Sequence, residues 1–377
     1  MNTGVISMGV RCPIIRQGDN LVDIVIGNVK KTLEENHMSL EDKDVIGITE
    51  SVVARSQGNY VTVDDIVKSI TEVAKEKAKG SKNVILYEPI MSRNRFAMIL
   101  KAFARYADNI IMVHGEDVDQ QGNPTWKPNP FTGVDIEKYY AEICEAENCQ
   151  FQHIHTLVDL LGSTINDKEP LFTIDARCHP DKVSSITLAS FMNKPIARED
   201  GTQSGYNSDW GLLGSNKANE ETLKLYPQKD KAQKLVDDIQ RTILEEDGKK
   251  IEVLVYGDGN FCSPAIPGVL GSQINEWADP CNPAWTNGLN GSPNEVKIKA
   301  LADGKFKNLN GKELEDAVAE EIKNNQKDLK GDMISQGTTP RRYTDLLASL
   351  FDLLSGSGDK GCPVGIIKRY FKKYCND

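Results

Sequence analysis

"NVILYEPIMSRNRFAMILKAFARYADNIIMVHG", residues 83 to 115, decides the fold class. Its opening run, NVILYEPI, is short, apolar and rich in β-branched and aromatic side chains, as a buried strand is. SRNRFAMILKAFARYA then repeats apolar residues at helical spacing, and NIIMVHG returns to a strand pattern. A strand, an amphipathic helix and a second strand in succession predict a right-handed βαβ crossover and a mainly parallel sheet. The rhythm continues through the helical GVDIEKYYAEICEAE, the strands FQHIHTLV and LFTIDA, and the helical PDKVSSITLASFM. Residues 81 to about 204 are therefore expected to form a Rossmann-like unit inserted in a larger domain.

Working outward, GVISMGV (4–10) reads as a strand, and DNLVDIVIGNVKKTLEEN places Leu21, Ile24, Val25, Val29 and Leu33 on one helical face, capped by Asp19 or Asn20. KDVIGITESVVARSQGNYVTVDDI gives an apolar strand ending in polar residues, a turn at Gly58-Asn59 and a helix opening around Asp64. On the other side, the Gly-, Ser-, Asn- and Asp-rich stretch 198–222 marks a boundary. A helix at KDKAQKLVDDIQRTILEE, a strand at VLVY, a second loop over 257–293 and a charged helix near 312–326 follow. Thr339 with Pro340 can open a last helix, with Leu346, Leu347, Leu350, Leu353 and Leu354 as its buried stripe. The fold class is α/β (α+β), divided as 1–80, 81–204 and 205–377.

At 377 residues the chain is long for one core, so two packed units are expected. The 45 basic and 55 acidic residues give −10, which disfavours a nucleic-acid or anionic-membrane partner because no excess cation replaces phosphate counterions. Eight scattered cysteines without a CxxC pair suit free thiols in a reducing cytosol. Neither a leader nor an apolar run of 18 residues is visible, so a cytoplasmic location is expected. No G-x-S-x-G or H-E-x-x-H motif supports a hydrolase.

Several segments can carry chemistry. In SGSGDKGCP, Gly356, Gly358 and Gly361 let backbone N–H groups converge as an anion nest, with Lys360 adding charge, although a plain helix stop explains the same letters. Glu50, Ser51 and Arg55 sit just past a strand, where loop residues of α/β folds reach ligands. Arg93 and Arg95 open a helix, where cations are disfavoured unless an anion lies near. His153 and His155 share a strand face at a spacing seen in metal sites, but without a third partner a structural role is the commoner explanation. In VLVYGDGNFCSP (253–264), Asp258 is either a hairpin corner or a metal ligand at a strand end. The prolines at 264 and 267 read poorly as a returning strand and favour the ligand.

Four blocks taken together resemble the coenzyme F420-0:gamma-glutamyl ligase family: VRCPIIRQGDNLVDIV, DVIGITESVVARSQGN, IEVLVYGDGNF and YTDLLASLFDLLSGSGDKGCP, in family order. The resemblance implies a GTP-dependent (or ATP-dependent) ligase using Mg2+ or Mn2+ that joins L-glutamate to a small-molecule acceptor, with a homodimer as the family's assembly. It implies that Cys12, Pro13, Ile14 and Ile15 line the nucleotide pocket, and that Glu50, Ser51 and Arg55 contact the nucleotide, Arg55 standing where a lysine is usual. It further implies a metal on Asp258, a nucleotide loop over Ser355, Gly356, Ser357, Gly358, Asp359, Lys360, Gly361 and Cys362, and Asn216 of GLLGSN at the nucleotide. Catalysis falls to Asp258 and Arg55. Leu213 and Ser357 replace acids usual in the family, and Asp209, Asp345 and Asp359 are the acids that could compensate, Asp209 being the second metal candidate. The alternative is a catalytically silent, nucleotide-binding regulator on the same fold.

Overall fold

The apolar run 45–49 forms the middle of a five-stranded sheet. The computed structural model describes residues 3–87, 93–113, 135–154, 172–175, 216–225, 227–257, 284–289, 296–325, 343–355 and 358–372. The chain divides into two units, residues 1–56 with 230–377, and residues 57–229.

In the first unit, β1 (Ile6–Val10), β2 (Val45–Thr49), β10 (Glu252–Tyr256), β11 (Ala284–Trp285) and β12 (Val364–Lys368) are ordered β1-β12-β2-β10-β11. β2 and β10 are parallel, whereas β12 is antiparallel to β1 and β2, and β11 to β10. The central strands carry continuous apolar runs because both faces are covered. One face sets Ile46, Ile48, Val253, Val255 and Ile366 against α1 (Leu21–Glu35) and α6 (Lys229–Asp247). The opposite face sets Val45, Leu254, Tyr256 and Ile367 against α8 (Tyr343–Ser355). The charged stretch beyond 310 forms α7 (Gly311–Asn324).

A transverse row of glycines governs how α8 sits. Gly9 of β1 faces Gly365 of β12, and Gly365 faces Gly47 of β2. The Phe351 ring occupies the space above two of these glycines: a Cβ on Gly365 would come 2.6 Å from its Cδ1, and one on Gly47 would overlap the other edge of the same ring. Only hydrogen at these positions lets the ring lie on the backbone. Tyr256 stacks on Phe351, with centroids 5.5 Å apart and planes at 17°.

The end of the sheet where β2 and β10 begin is fixed by buried polar groups. Lys368 pairs with Asp44, each side chain 2% exposed, and also donates to the Ser39 carbonyl at 2.7 Å. Burial pushes the Asp44 carboxyl up despite the ammonium beside it. Glu252 accepts from the Thr286 hydroxyl and lies against Gly288, where a side chain would displace it.

In the second unit, β4 (Asn83–Tyr87), β5 (Asn109–Val113), β6 (Gln150–Ile154) and β7 (Phe172–Asp175) form a wholly parallel sheet ordered β6-β5-β4-β7. This is the architecture the 83–115 rhythm predicts, with α4 (Arg93–Tyr106) and α5 (Ile136–Ala146) as crossover helices. β3 (Tyr60–Thr62), β8 (Asn216–Asn219) and β9 (Thr222–Lys224) form a separate antiparallel sheet. The helix expected near Asp64 is α3 (Val63–Ala78), opened by a reciprocal capping box between Thr62 and Asp65. Arg105 of α4 clamps Glu147 through two 2.9 Å bonds and reaches Asp64 at 2.7 Å.

Three local readings need correction. Residues 50–57 form a helix, α2 (Glu50–Gln57), rather than the loop expected past β2. Asn20 is the N-cap residue of α1, yet its side chain accepts no backbone N–H and instead donates to the Asp23 carboxylate, and Asp19 accepts from the Arg16 N–H. In α8 Leu353 is 81% exposed, and Phe351 joins Leu347 and Ala348 in the core, because the stripe continues at three- and four-residue steps from Leu347. Thr339 and Pro340 lie outside the described residues.

Gly47→Ala should lose roughly 1–3 kcal/mol of unfolding free energy in denaturant titration, the usual cost of overpacking. Phe351→Leu in that background should cost less than it does alone, since the two positions share one space. Lys368→Met, which leaves a buried carboxylate unpaired, should cost roughly 3–5 kcal/mol, and adding Asp44→Leu should recover much of it. A Lys368→Met protein as stable as the parent would show that the pair is dispensable.

Candidate functional site

The strand directions bring all four sequence blocks to one edge of the first unit's sheet. Val10 at the end of β1 faces Val364 at the start of β12, and Val364 faces Ile48 near the end of β2. Thr49, which ends β2, faces Tyr256, which ends β10. The edge therefore carries the chain leaving β1, the chain entering β12, the start of α2, and the chain leaving β10 at Gly257. Carboxyl ends of parallel strands are where open α/β sheets hold ligands.

Hydrogen bonds close the arrangement. The Cys12 N–H donates to the Gly361 carbonyl at 3.1 Å, and the Thr49 N–H donates to the Pro363 carbonyl at 2.9 Å. The Gly18 N–H donates to the Ser56 carbonyl at 2.9 Å, tying the segment after β1 to the end of α2. Gly358–Lys360 makes one 3-10 turn, and Gly361 follows at φ +66° with open space where a side chain would stand. That left-handed backbone favours glycine, and the open space leaves room for a ligand beside the main chain.

The residues singled out from sequence separate into groups. Cys12, Pro13, Ile14, Glu50, Ser51, Ser355 and Gly358 to Gly361 lie on or beside this edge. Pro13 is exposed and Ile14 is 77% exposed, whereas Ile15 is in the core with Val10 and Leu21, so only its backbone is available to a ligand. Glu50 is 6% exposed at the first position of α2. Asp359 and Lys360 are exposed in the turn. Arg55 is exposed in the last turn of α2, at the end of that helix away from Glu50. Asn216 opens β8 in the second unit, its Oδ1 accepting from the Lys217 N–H at 2.9 Å. Asp258, Asp209, Leu213, Gly356, Ser357 and His155 lie outside the described residues, as do the side chains of Asp345, Arg93 and Arg95. His153, on β6, has Glu137 at 3.9 Å from its Nδ1. Among the described residues no three His, Cys, Asp or Glu side chains are grouped to hold a metal ion.

Tyr256 and Asp352 were not singled out, yet they stand at the same edge, near Cys362 of the glycine-rich loop. Asp352, Cys362 and Glu50 are near enough to the Tyr256 hydroxyl to act on it electrostatically, and the Ser355 hydroxyl donates to the Asp352 carbonyl at 3.5 Å. Burial pushes the phenol up, so it stays protonated at neutral pH. Burial, and secondarily Cys362, push the Cys12 thiol up to about 11, so this residue is a thiol and not a thiolate at neutral pH. That disfavours Cys12 as a nucleophile. The signal that could have led here is the single glycine inside each of β1, β2 and β12, which marks a close approach from outside the strand.

No described helix is long and apolar enough to cross a membrane. The chain matches the model of the F420-0:gamma-glutamyl ligase family over residues 9–369, which takes in both units and all four blocks. No curated protein matches it. With the match covering nearly the whole chain, this protein belongs to the F420-0:gamma-glutamyl ligase family and, with it, to the ligase enzymes.

Proposed function

We propose that this protein is a nucleotide-dependent amide ligase that joins L-glutamate to a small-molecule carboxylate acceptor through an acyl phosphate, with GTP or ATP as phosphoryl donor. The observation that carries the reading is the meeting, on one sheet edge, of the segment after β1, the buried Glu50 after β2 and the Gly358–Gly361 turn before β12. These are the groups such a reaction needs, since phosphoryl transfer to a carboxylate depends on positioning and charge stabilisation rather than on a protein nucleophile.

The residues present fit a triphosphate. Gly361 leaves its backbone open beside the turn, Lys360 adds a cation, and the exposed Ile14 offers apolar surface to a base or acceptor. Glu50 is a hard oxygen donor of the kind that suits Mg2+ or Mn2+, and by family resemblance Asp258 is a second, with Asp209 a further candidate. A bound divalent cation supplies neutralisation of the triphosphate charge. The turn and Lys360 hold the phosphates so that an acceptor carboxylate oxygen attacks the γ-phosphorus and the nucleoside diphosphate leaves. The amine of glutamate then attacks the acyl carbon, phosphate departs, and the amine loses a proton as the amide forms. Arg55, exposed on α2, is the candidate to pair with an outer phosphate or an acceptor anion.

Purified protein mixed with GTP or ATP, glutamate and a panel of small carboxylic acids should release phosphate only when Mg2+ or Mn2+ is present, and EDTA should stop it. Tight nucleotide binding without release under every combination would favour the silent regulator instead. Asp258→Asn should lower turnover by more than roughly 100-fold while leaving the thermal melt unchanged. Full activity in that variant would remove Asp258 from the site.

A further inference from the structure

The end of α5 closes on a pair of cysteines that the candidate site does not use. Past Ala146 the chain turns at Asn148, whose φ of +59° is left-handed. Three backbone bonds stop the helix there. The Glu147 N–H donates to the Cys144 carbonyl at 3.1 Å, the Asn148 N–H to the Glu145 carbonyl at 3.0 Å, and the Cys149 N–H back to the Cys144 carbonyl at 2.9 Å. The last two are the paired closure of a Schellman motif, in which the residue that completes the motif commonly packs its side chain on the one that accepts its N–H. Here those two residues are Cys149 and Cys144, 5% and 0% exposed, and both are free thiols. With a 2.9 Å backbone bond joining them, main-chain dimensions keep their Cα atoms within about 7 Å, the reach of a disulfide. The neighbouring Cys149 sulfur, and then burial, push the Cys144 thiol up.

The residues between the two sulfurs hold more than a helix end. Glu147 takes both 2.9 Å bonds from Arg105 of α4, and the same guanidinium reaches Asp64 at the start of α3 and Glu221 between β8 and β9. Gln150, next after Cys149, opens β6. We propose that Cys144 and Cys149 are a redox-responsive pair: free thiols under reducing conditions, and under oxidising ones an internal disulfide that staples the end of α5 to the start of β6 across the seat of the Arg105 network. An apolar residue would fill either position, but only two cysteines close the contact covalently. The oxidant is a small-molecule disulfide such as oxidised glutathione. Cys149, which lies outside the helix, attacks one of its sulfurs as a thiolate, forming a mixed disulfide and releasing one glutathione thiol. The Cys144 thiolate then attacks the Cys149 sulfur and releases the second. Each cysteine gives up a proton, and the two electrons pass to glutathione. Burial makes the exchange slow, because the helix end must open to admit the oxidant.

The test equilibrates the full-length chain in mixtures of reduced and oxidised glutathione, quenches with acid, alkylates the remaining thiols and maps the peptides by mass spectrometry, alongside thermal melts and hydrogen exchange. In the oxidised chain the peptide carrying both cysteines should be lighter by two hydrogen atoms and take up no alkylating reagent, and reduction should reverse this. The melting temperature should rise by about 2–5 °C on oxidation, and the amides of residues 147 to 149 should exchange more slowly. Cys144→Ala and Cys149→Ala should each abolish both gains, judged as oxidised against reduced protein of the same variant. Cysteines 144 and 149 that stay free while Cys12 and Cys362 react would overturn the proposal. A glutathione adduct that persists on Cys149, or either cysteine joined to a different one, would overturn it as well. A 144–149 disulfide that forms only in denaturant would show that the folded chain keeps the sulfurs apart, and one that forms without raising the melt would remove the staple.

Discussion

The contact between the Phe351 ring and the bare backbone of Gly47 and Gly365 is the constraint on which the rest of the first unit depends. A helix normally packs on a sheet through side chains from both surfaces. Here three strands present hydrogen instead of a side chain along one transverse row; the Phe351 ring fills the depression over Gly365 and Gly47, and Cys362 lies against Gly9. The cost is borne by the strands, where glycine loses more backbone entropy than any other residue. The gain is a helix whose axial position is set by one rigid group, since a ring seated between two backbones cannot slide along the strands.

That position matters because α8 ends four residues beyond Phe351, and the chain then passes through the glycine-rich turn into β12. Fixing Phe351 fixes Ser355, while the antiparallel pairing of β12 with β1 and β2 fixes the far root of the turn at Cys362. The turn is held at both ends by interactions that are not themselves part of any ligand site. A site built on backbone N–H groups needs such support, because main chain can be aimed only by what holds its two ends.

Much of this was legible in the letters. The parallel sheet of the second unit followed from the strand and helix periods over 83–115, and β1, β2, β10 and the helices α1 and α6 lie where their patterns put them. The site was legible in part: block order in the sequence does not state which strand ends share an edge, and only the pairing of β12 between β1 and β2 brings residue 12 beside residue 361. The helix at 50–57 was missed because its short polar sequence has weak periodicity and its start at Glu50 follows β2 with no loop. Leu353 was misplaced because a run of leucines fits several helical stripes. The choice among them is made by Phe351, whose partner is a glycine pair that no periodicity of α8 reveals.

The two ends of the first unit's sheet divide the work of stability and of chemistry. At the end where β2 and β10 begin, Asp44, Lys368, Glu252 and Thr286 are buried and bonded to one another in place. Their charges are consumed by their partners, and opening either pair to a ligand would expose an uncompensated charge in the core. At the other end Glu50 is buried, but it stands at a helix start and beside a turn whose glycine faces open space. The asymmetry follows from strand direction: β2 and β10 run the same way and so deliver their last residues, and the chain that follows them, to one edge. Antiparallel β1 and β12 add a segment that leaves the sheet and one that enters it. The proposed reaction, which brings a nucleotide, an acceptor carboxylate and an amine together, needs several segments to converge, and among the described residues four do so at this edge.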